Sequence, residues 1–193
     1  RRPLRVLIFW SAPKDQGAVD VEMEQIRLAL ALAPHILRQE IEEVEVLHCT
    51  RARLDEALAA HAYDLVYFTG HGTHQDGVGH LCLETGDGST DLLSATDFAR
   101  KLSLQERPPA LVFLNCCLSA AVERDREAPG RFLDVGRRLL RQGVPFVAAT
   151  LTPVFVSTAQ TFMEVFLRTL LRGERFDVPR AMAAARGAVL EEV

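Results

Sequence analysis

A histidine between two glycines, Gly70-His71-Gly72, and two adjacent cysteines, Cys116-Cys117, are the residues best suited to covalent chemistry in this chain. Each group closes an apolar run, Leu65 to Thr69 and Ala110 to Asn115, with the length and the β-branched and aromatic content of a buried strand. A thiol attacks a carbonyl carbon as its thiolate, and with an ordinary pKa near 8.5 it gains from an imidazole close by. Imidazole titrates near neutrality and can hand the proton on to a leaving amine. In a parallel sheet, chemistry collects beyond the carboxyl ends of the strands, so the two groups can meet although 46 positions separate them. This is the pattern of a Cys-His dyad that cleaves peptide bonds through an acyl-enzyme. The N–H groups of Gly72 and Cys117 are the expected oxyanion donors, because glycine lets backbone come close to a substrate. Neighbouring residues of an extended chain point to opposite faces, so only one of Cys116 and Cys117 can face the cleft, and alternation alone leaves open which.

The elements that must place these groups alternate in type. Arg5 to Trp10, Val44 to Cys49, Leu65 to Thr69, Ala110 to Asn115 and Pro145 to Thr150 are expected strands. Between them, apolar residues recur at helical spacing: Val19, Met23, Ile26 and Leu30; Leu54 and Leu58; Phe98 and Leu102; Phe132, Val135 and Leu139. The last quarter adds two helices, one along Ala159, Phe162, Met163, Phe166, Leu167 and Leu170 stopped by Gly173, and one from Asp177 carrying Met182, Ala185 and Val189. Strand alternating with helix predicts an α/β fold with a mostly parallel sheet covered on both sides. Two interruptions stand out. Gly72 to Gly88 is glycine-rich and contains an expected hairpin in which His80 to Glu84 returns through Gly86-Asp87-Gly88, and Glu123 to Gly130 is a charged, turn-rich loop after the cysteines.

The chain has 193 residues, 48% of them apolar, enough for one sizeable core, and the expectation is a single domain over 1–193. A net charge of −4 gives no basic footprint for a phosphate backbone, so nucleic acid is not an expected partner. The apolar stretch from Val144 to Val156 is broken by Pro145 and Pro153 and falls short of the about 20 residues that span a bilayer. Membrane association is therefore not expected, and the start at Arg1-Arg2-Pro3 suggests a piece of a longer protein. Cys49 and Cys82 sit in apolar strand contexts and read as core filling. Four irregularly spaced cysteines form no disulfide framework and fit a reducing cytoplasm.

Taken together, Phe68-Thr69-Gly70-His71-Gly72, the strand Leu111 to Asn115 followed by Cys117 and Ser119, the turn Gly143-Val144-Pro145 into Val147 to Thr150, and Phe166 to Gly173 with Ala181 resemble the CHAT domain, a caspase-like cysteine-peptidase family of clan CD. The resemblance covers nearly the full length. It implies a three-layer α/β/α sandwich and a nucleophile that follows a small residue, which assigns that role to Cys117 with Cys116 in the preceding place. It further implies that the pocket for the residue before the scissile bond is built from the loop after the first strand (Lys14 and Asp15), from Asn115, and from Thr152 to Phe155. An Asp15 wall would favour a basic side chain and a Phe155 wall an apolar one. The implied partners are a protein or peptide substrate and a regulatory repeat or sensor domain, with no cofactor, in a bacterial and defence-related setting. Where the family commonly has an acidic residue after the fifth strand, this chain has Pro153-Val154-Phe155-Val156.

Two other readings compete with the peptidase. One is a caspase-like interaction module with an idle site, since folds outlive their activities. The other is a zinc site from His71, His74, His80 and Cys82, although their spacing matches no common finger or ribbon, and His74 and His80 are expected in a solvated loop.

Overall fold

The computed structural model describes residues 2–18, 21–117, 133–149, 156–172 and 176–191. In chain order the elements are β1 (Leu4–Trp10), α1 (Val21–Leu37), β2 (Ile41–His48), α2 (Arg51–Ala60), β3 (Leu65–Gln75), β4 (Val78–Glu84), β5 (Thr90–Ser94), α3 (Ala95–Ser103), β6 (Leu111–Cys117), α4 (Leu133–Arg141), β7 (Phe146–Ala149), α5 (Val156–Leu171) and α6 (Val178–Glu191). Seven strands form one mixed sheet. β1 and β6 flank β3 in parallel, β7 continues in parallel beyond β6, and β4 and β5 attach to β3 as an antiparallel meander. Each expected strand is present. β2 begins at Ile41 rather than Val44, and the largest extension, that of β3, decides the geometry of the site.

The sequence reading ended the third strand at Thr69, but β3 runs to Gln75. The cause is a turn at Asp76-Gly77, both with positive φ (52° and 77°), which folds β4 straight back along β3. An Asp-Gly pair between extended segments is a strong hairpin signal and would have given this turn from sequence. His71 pairs with Cys82 of β4 on one edge and with Cys117 of β6 on the other. β6 already lies along the edge opposite β1, so β4 occupies the edge that β1 leaves at Trp10. The chain after β1 therefore cannot continue as a strand and turns out of the sheet.

The chain divides into two compact units. The larger comprises residues 5–21 and 44–152. Its core joins one face of the sheet (Leu7, Phe9, Val66, Phe68, Leu81, Leu83, Val112, Leu114, Cys116) to α2, α3 and α4 through Leu54, Phe98, Leu102, Val135 and Leu139. Phe9 stacks at a tilt on Phe68, 4.9 Å between centroids, and meets Phe98 edge-on. Two helices are started by N-caps: Thr50 accepts from the Arg53 amide, and Ser94 accepts from the Asp97 amide while its hydroxyl donates to the Asp97 carboxylate. The smaller unit comprises residues 1–4, 22–43 and 153–193 and contains α5 packed along α6, with Phe162 stacked on Phe166 and Met163, Phe166, Leu170, Ala181 and Ala185 buried. Gly173, Phe132 and the loop Glu123 to Gly130 lie outside the described residues.

Candidate functional site

Strand alternation sorts the tips of β3 and β6 into two faces. Val66, Phe68, Leu114 and Cys116 belong to the core shared with the helices, and Cys116 is 1% exposed there. Thr69 and His71 therefore stand on the other face, with Asn115 across from Thr69 in register. The backbone of Cys117 is the register partner of His71. Neighbouring parallel strands lie about 4.8 Å apart, so positions 71 and 117 are brought side by side.

His71 is 2% exposed, and its Nε2 lies 2.6 Å from the carbonyl oxygen of Gly17. A carbonyl only accepts, so Nε2 carries the proton in this bond, and in the neutral ring the lone pair then sits on Nδ1. Gly17 was missed by the sequence reading, for a backbone oxygen leaves no side-chain signature. A Cβ at Gly17 would stand 3.9 Å from His71 Cε1, an ordinary van der Waals contact, so the ring lies beside this stretch of backbone without itself requiring a glycine there.

Gly17 reaches the ring because β4 blocks β1. At the corner, buried Ser11 donates its amide to the Thr69 carbonyl (3.0 Å) and its hydroxyl to the Cys82 carbonyl (2.6 Å). The Ala12 amide donates to Glu84 Oε1 (2.7 Å), and the same oxygen accepts from His48 Nε2 (2.8 Å), whose ring is stacked on Trp10. Gly70 is demanded by this corner, since a Cβ would come within 2.8 Å of both the Ser11 oxygen and the Phe68 ring. Its freedom thus serves the packing of the protein's own backbone, where the sequence suggested approach to a substrate. Gly72 is a buried residue within β3, across from Leu81 of β4.

Asp15 lies on the exposed loop after β1, and its carboxylate accepts from the Thr90 hydroxyl (2.6 Å) and the Thr90 amide (3.2 Å). These two bonds hold the carboxyl below the ordinary carboxylate range. Asn115 is half-buried, and Phe155, with Thr152 to Val154, lies outside the described residues. Thr69 is 4% exposed with its Oγ1 buried and unpartnered, directly across from Asn115.

His74 and His80 are not in a solvated loop, because the longer β3 and its hairpin absorb them into strands. Antiparallel register places Cys82 and His80 opposite His71 and Thr73, whereas His74 alternates to the other face. The proposed zinc set is therefore split, and among the described residues no group of three or more His, Cys, Asp or Glu side chains could hold a metal ion. His80 is half-buried, with a buried and unpartnered Nδ1. Burial pushes the Cys82 thiol up to about 11, helped by the Asp15 charge, and burial foremost pushes Cys49 up to about 12, so both remain thiols at neutral pH. Among the described residues no helix is long and apolar enough to cross a membrane.

A mostly parallel sheet with an imidazole on one central strand, and a cysteine beside it at the end of the next, fits a caspase-like domain. The CHAT-domain family model matches residues 8–192, and the chain belongs to that family. The family is caspase-like and peptidase-related. A search of curated proteins finds no match.

Proposed function

We propose that this chain is a cysteine endopeptidase in which Cys117 is the nucleophile and His71 the general acid and base. The observation that carries the reading is the register of β3 and β6, which pairs the backbone of 71 with that of 117 while Cys116 is spent in the core. Alternation then assigns position 117 to the face of the imidazole. In the proposed reaction, Nδ1 of His71 takes the proton of the Cys117 thiol, and the thiolate adds to the scissile carbonyl carbon. The imidazolium returns that proton to the leaving amine as the acyl-enzyme forms, and water, deprotonated by the same nitrogen, releases the acid. The Gly17 carbonyl keeps the second nitrogen protonated throughout. The amides of Gly72 and Cys117 are the proposed donors to the oxyanion, and Asn115 a proposed wall of the pocket for the residue before the scissile bond. The proposed substrate is a protein or peptide, with turnover controlled by an appended or partner repeat or sensor domain.

A peptidyl acyloxymethyl ketone provides the test. Labelling on Cys117, its loss in Cys117→Ala and His71→Ala, and its retention in Cys116→Ser are the expected results, read by mass spectrometry of the labelled peptide. No labelling of the activated full-length protein would favour an idle interaction module. Labelling that survives Cys117→Ala and disappears in Cys116→Ser would move the nucleophile to 116.

A further inference from the structure

The loop that presents the Gly17 carbonyl is fastened to the β4–β5 hairpin at successive points. Glu84 fixes Ala12, five residues before Gly17. Nearer the carbonyl, the Lys14 amide donates to the Gly88 carbonyl (2.9 Å) and Lys14 Nζ to the Asp87 carbonyl (3.1 Å). Gly88 has φ +85°, and a Cβ on it would meet Lys14 Cε at 2.9 Å, so the lysine stem lies flat against the turn. Closest of all is Thr90. Its hydroxyl donates to Asp15 Oδ1 and accepts from Gln16 Nε2 (3.1 Å), while its amide donates to Asp15 Oδ2.

We infer that Asp15 and Thr90 form a positioning pair for His71, holding the 11–17 loop so that the Gly17 carbonyl stays on Nε2 and the lone pair stays on Nδ1. The inference rests on the dyad reading of the site. Only Gln16 lies between Asp15 and Gly17, a reach of at most about 7 Å from Cα to Cα, so fixing the carboxylate confines the carbonyl. Gly17 has no side chain with which to fix itself. Both oxygens of Asp15 are engaged by Thr90, which directs the carboxylate at the hairpin and away from a role as the anion of a substrate pocket. The Thr90 hydroxyl is the hub, because a single substitution there removes one bond to Asp15 and one to Gln16. Thr90→Val removes both while keeping the β-branched shape that suits strand β5. Thr90→Ser keeps both.

The test measures proton location and turnover together. In the ¹⁵N-labelled chain, two-bond nitrogen couplings of the His71 ring report which nitrogen carries the proton. Wild type and Thr90→Ser are expected to show it on Nε2, whereas Thr90→Val and Asp15→Ala are expected to show a mixture of tautomers. With peptide substrates, kcat of both deficient variants should fall about tenfold with KM within about twofold, equally for basic and apolar residues before the scissile bond. Thr90→Ser should restore kcat. An unchanged tautomer in both deficient variants overturns the inference. So does a loss confined to basic substrates, which would make Asp15 a pocket wall. If the wild-type chain shows no turnover at all, the peptidase reading fails separately, and the ring tautomer alone decides the positioning role.

Discussion

The two faces of β3 and β6 are built from the same seven-residue register yet differ at its carboxyl end. On one, Phe68, Leu114 and Cys116 join a wholly apolar core with the helices. The other is also apolar along Leu65, Tyr67, Leu111 and Phe113, and turns polar only towards its carboxyl end, where Thr69 and His71 are just as buried and Asn115 lies beside them. Burying polar groups costs free energy unless each finds a partner, and here the accounts differ residue by residue: His71 has the Gly17 carbonyl, while the Thr69 hydroxyl has no partner among the described residues. Both faces pack apolar side chains, and only the carboxyl end of one bears an arrangement that folding alone would not select.

Substitutions that set the faces against each other test this contrast. His71→Ala should lower peptide turnover by about a thousandfold or more while the thermal midpoint moves by only a few degrees, as measured by initial rates and calorimetry. Phe68→Ala, one strand turn away on the core face, should destabilise the fold by about 3–5 kcal/mol in urea titration, with residual activity tracking only the folded fraction.

A charged group at the rim of the core face gives a smaller, pH-dependent effect. Burial pushes the Asp134 carboxyl up, but hydrogen bonds from Arg138 Nε (2.8 Å) and the Gly79 amide (3.3 Å), with the Arg138 charge, outweigh it and leave the group below the ordinary range. Its folded-state value is depressed, so its contribution is complete above the unfolded carboxylate value near 4 and is lost as the pH falls through the folded value. Asp134→Asn should therefore be less stable than wild type at pH 7, with the gap closing below about pH 4 in acid unfolding curves. The smallest effect has the opposite sign. Thr69→Val replaces an unpartnered buried hydroxyl by a methyl of similar shape and should raise stability by about 1 kcal/mol, measured as a higher urea midpoint at unchanged slope. A loss of stability would show that the hydroxyl is satisfied in solution.

Apolar runs and helical spacing were enough to locate β1, β2, β3, β6, β7 and the six helices, because burial dictates those patterns directly, while the β4–β5 hairpin was signalled by its turn glycines. The pairing of His71 with the second cysteine strand was legible for the same reason, since both tips belong to parallel strands of one sheet. Three things went unread, the first of them although its signal was present. The extension of β3 depends on a two-residue turn whose Asp-Gly signal lay inside a glycine-rich stretch that read as a loop. The zinc reading failed with it, because strand alternation separates His74 from His71. The Gly17 acceptor depends on β4 taking the edge that β1 vacates, a fact of topology that no local pattern encodes.

That takeover has a consequence for how a peptide would be met. At His71 both edges of β3 are filled, one by Cys82 and the other by Cys117, so no row of unpaired backbone groups remains there for an incoming chain to join. A polypeptide approaching the imidazole cannot be captured by generic strand addition to β3 and must lie over the sheet's polar face. Its selection then falls to side-chain fit and surrounding loops, a mode of capture that discriminates by residue identity rather than by the mere availability of an extended segment.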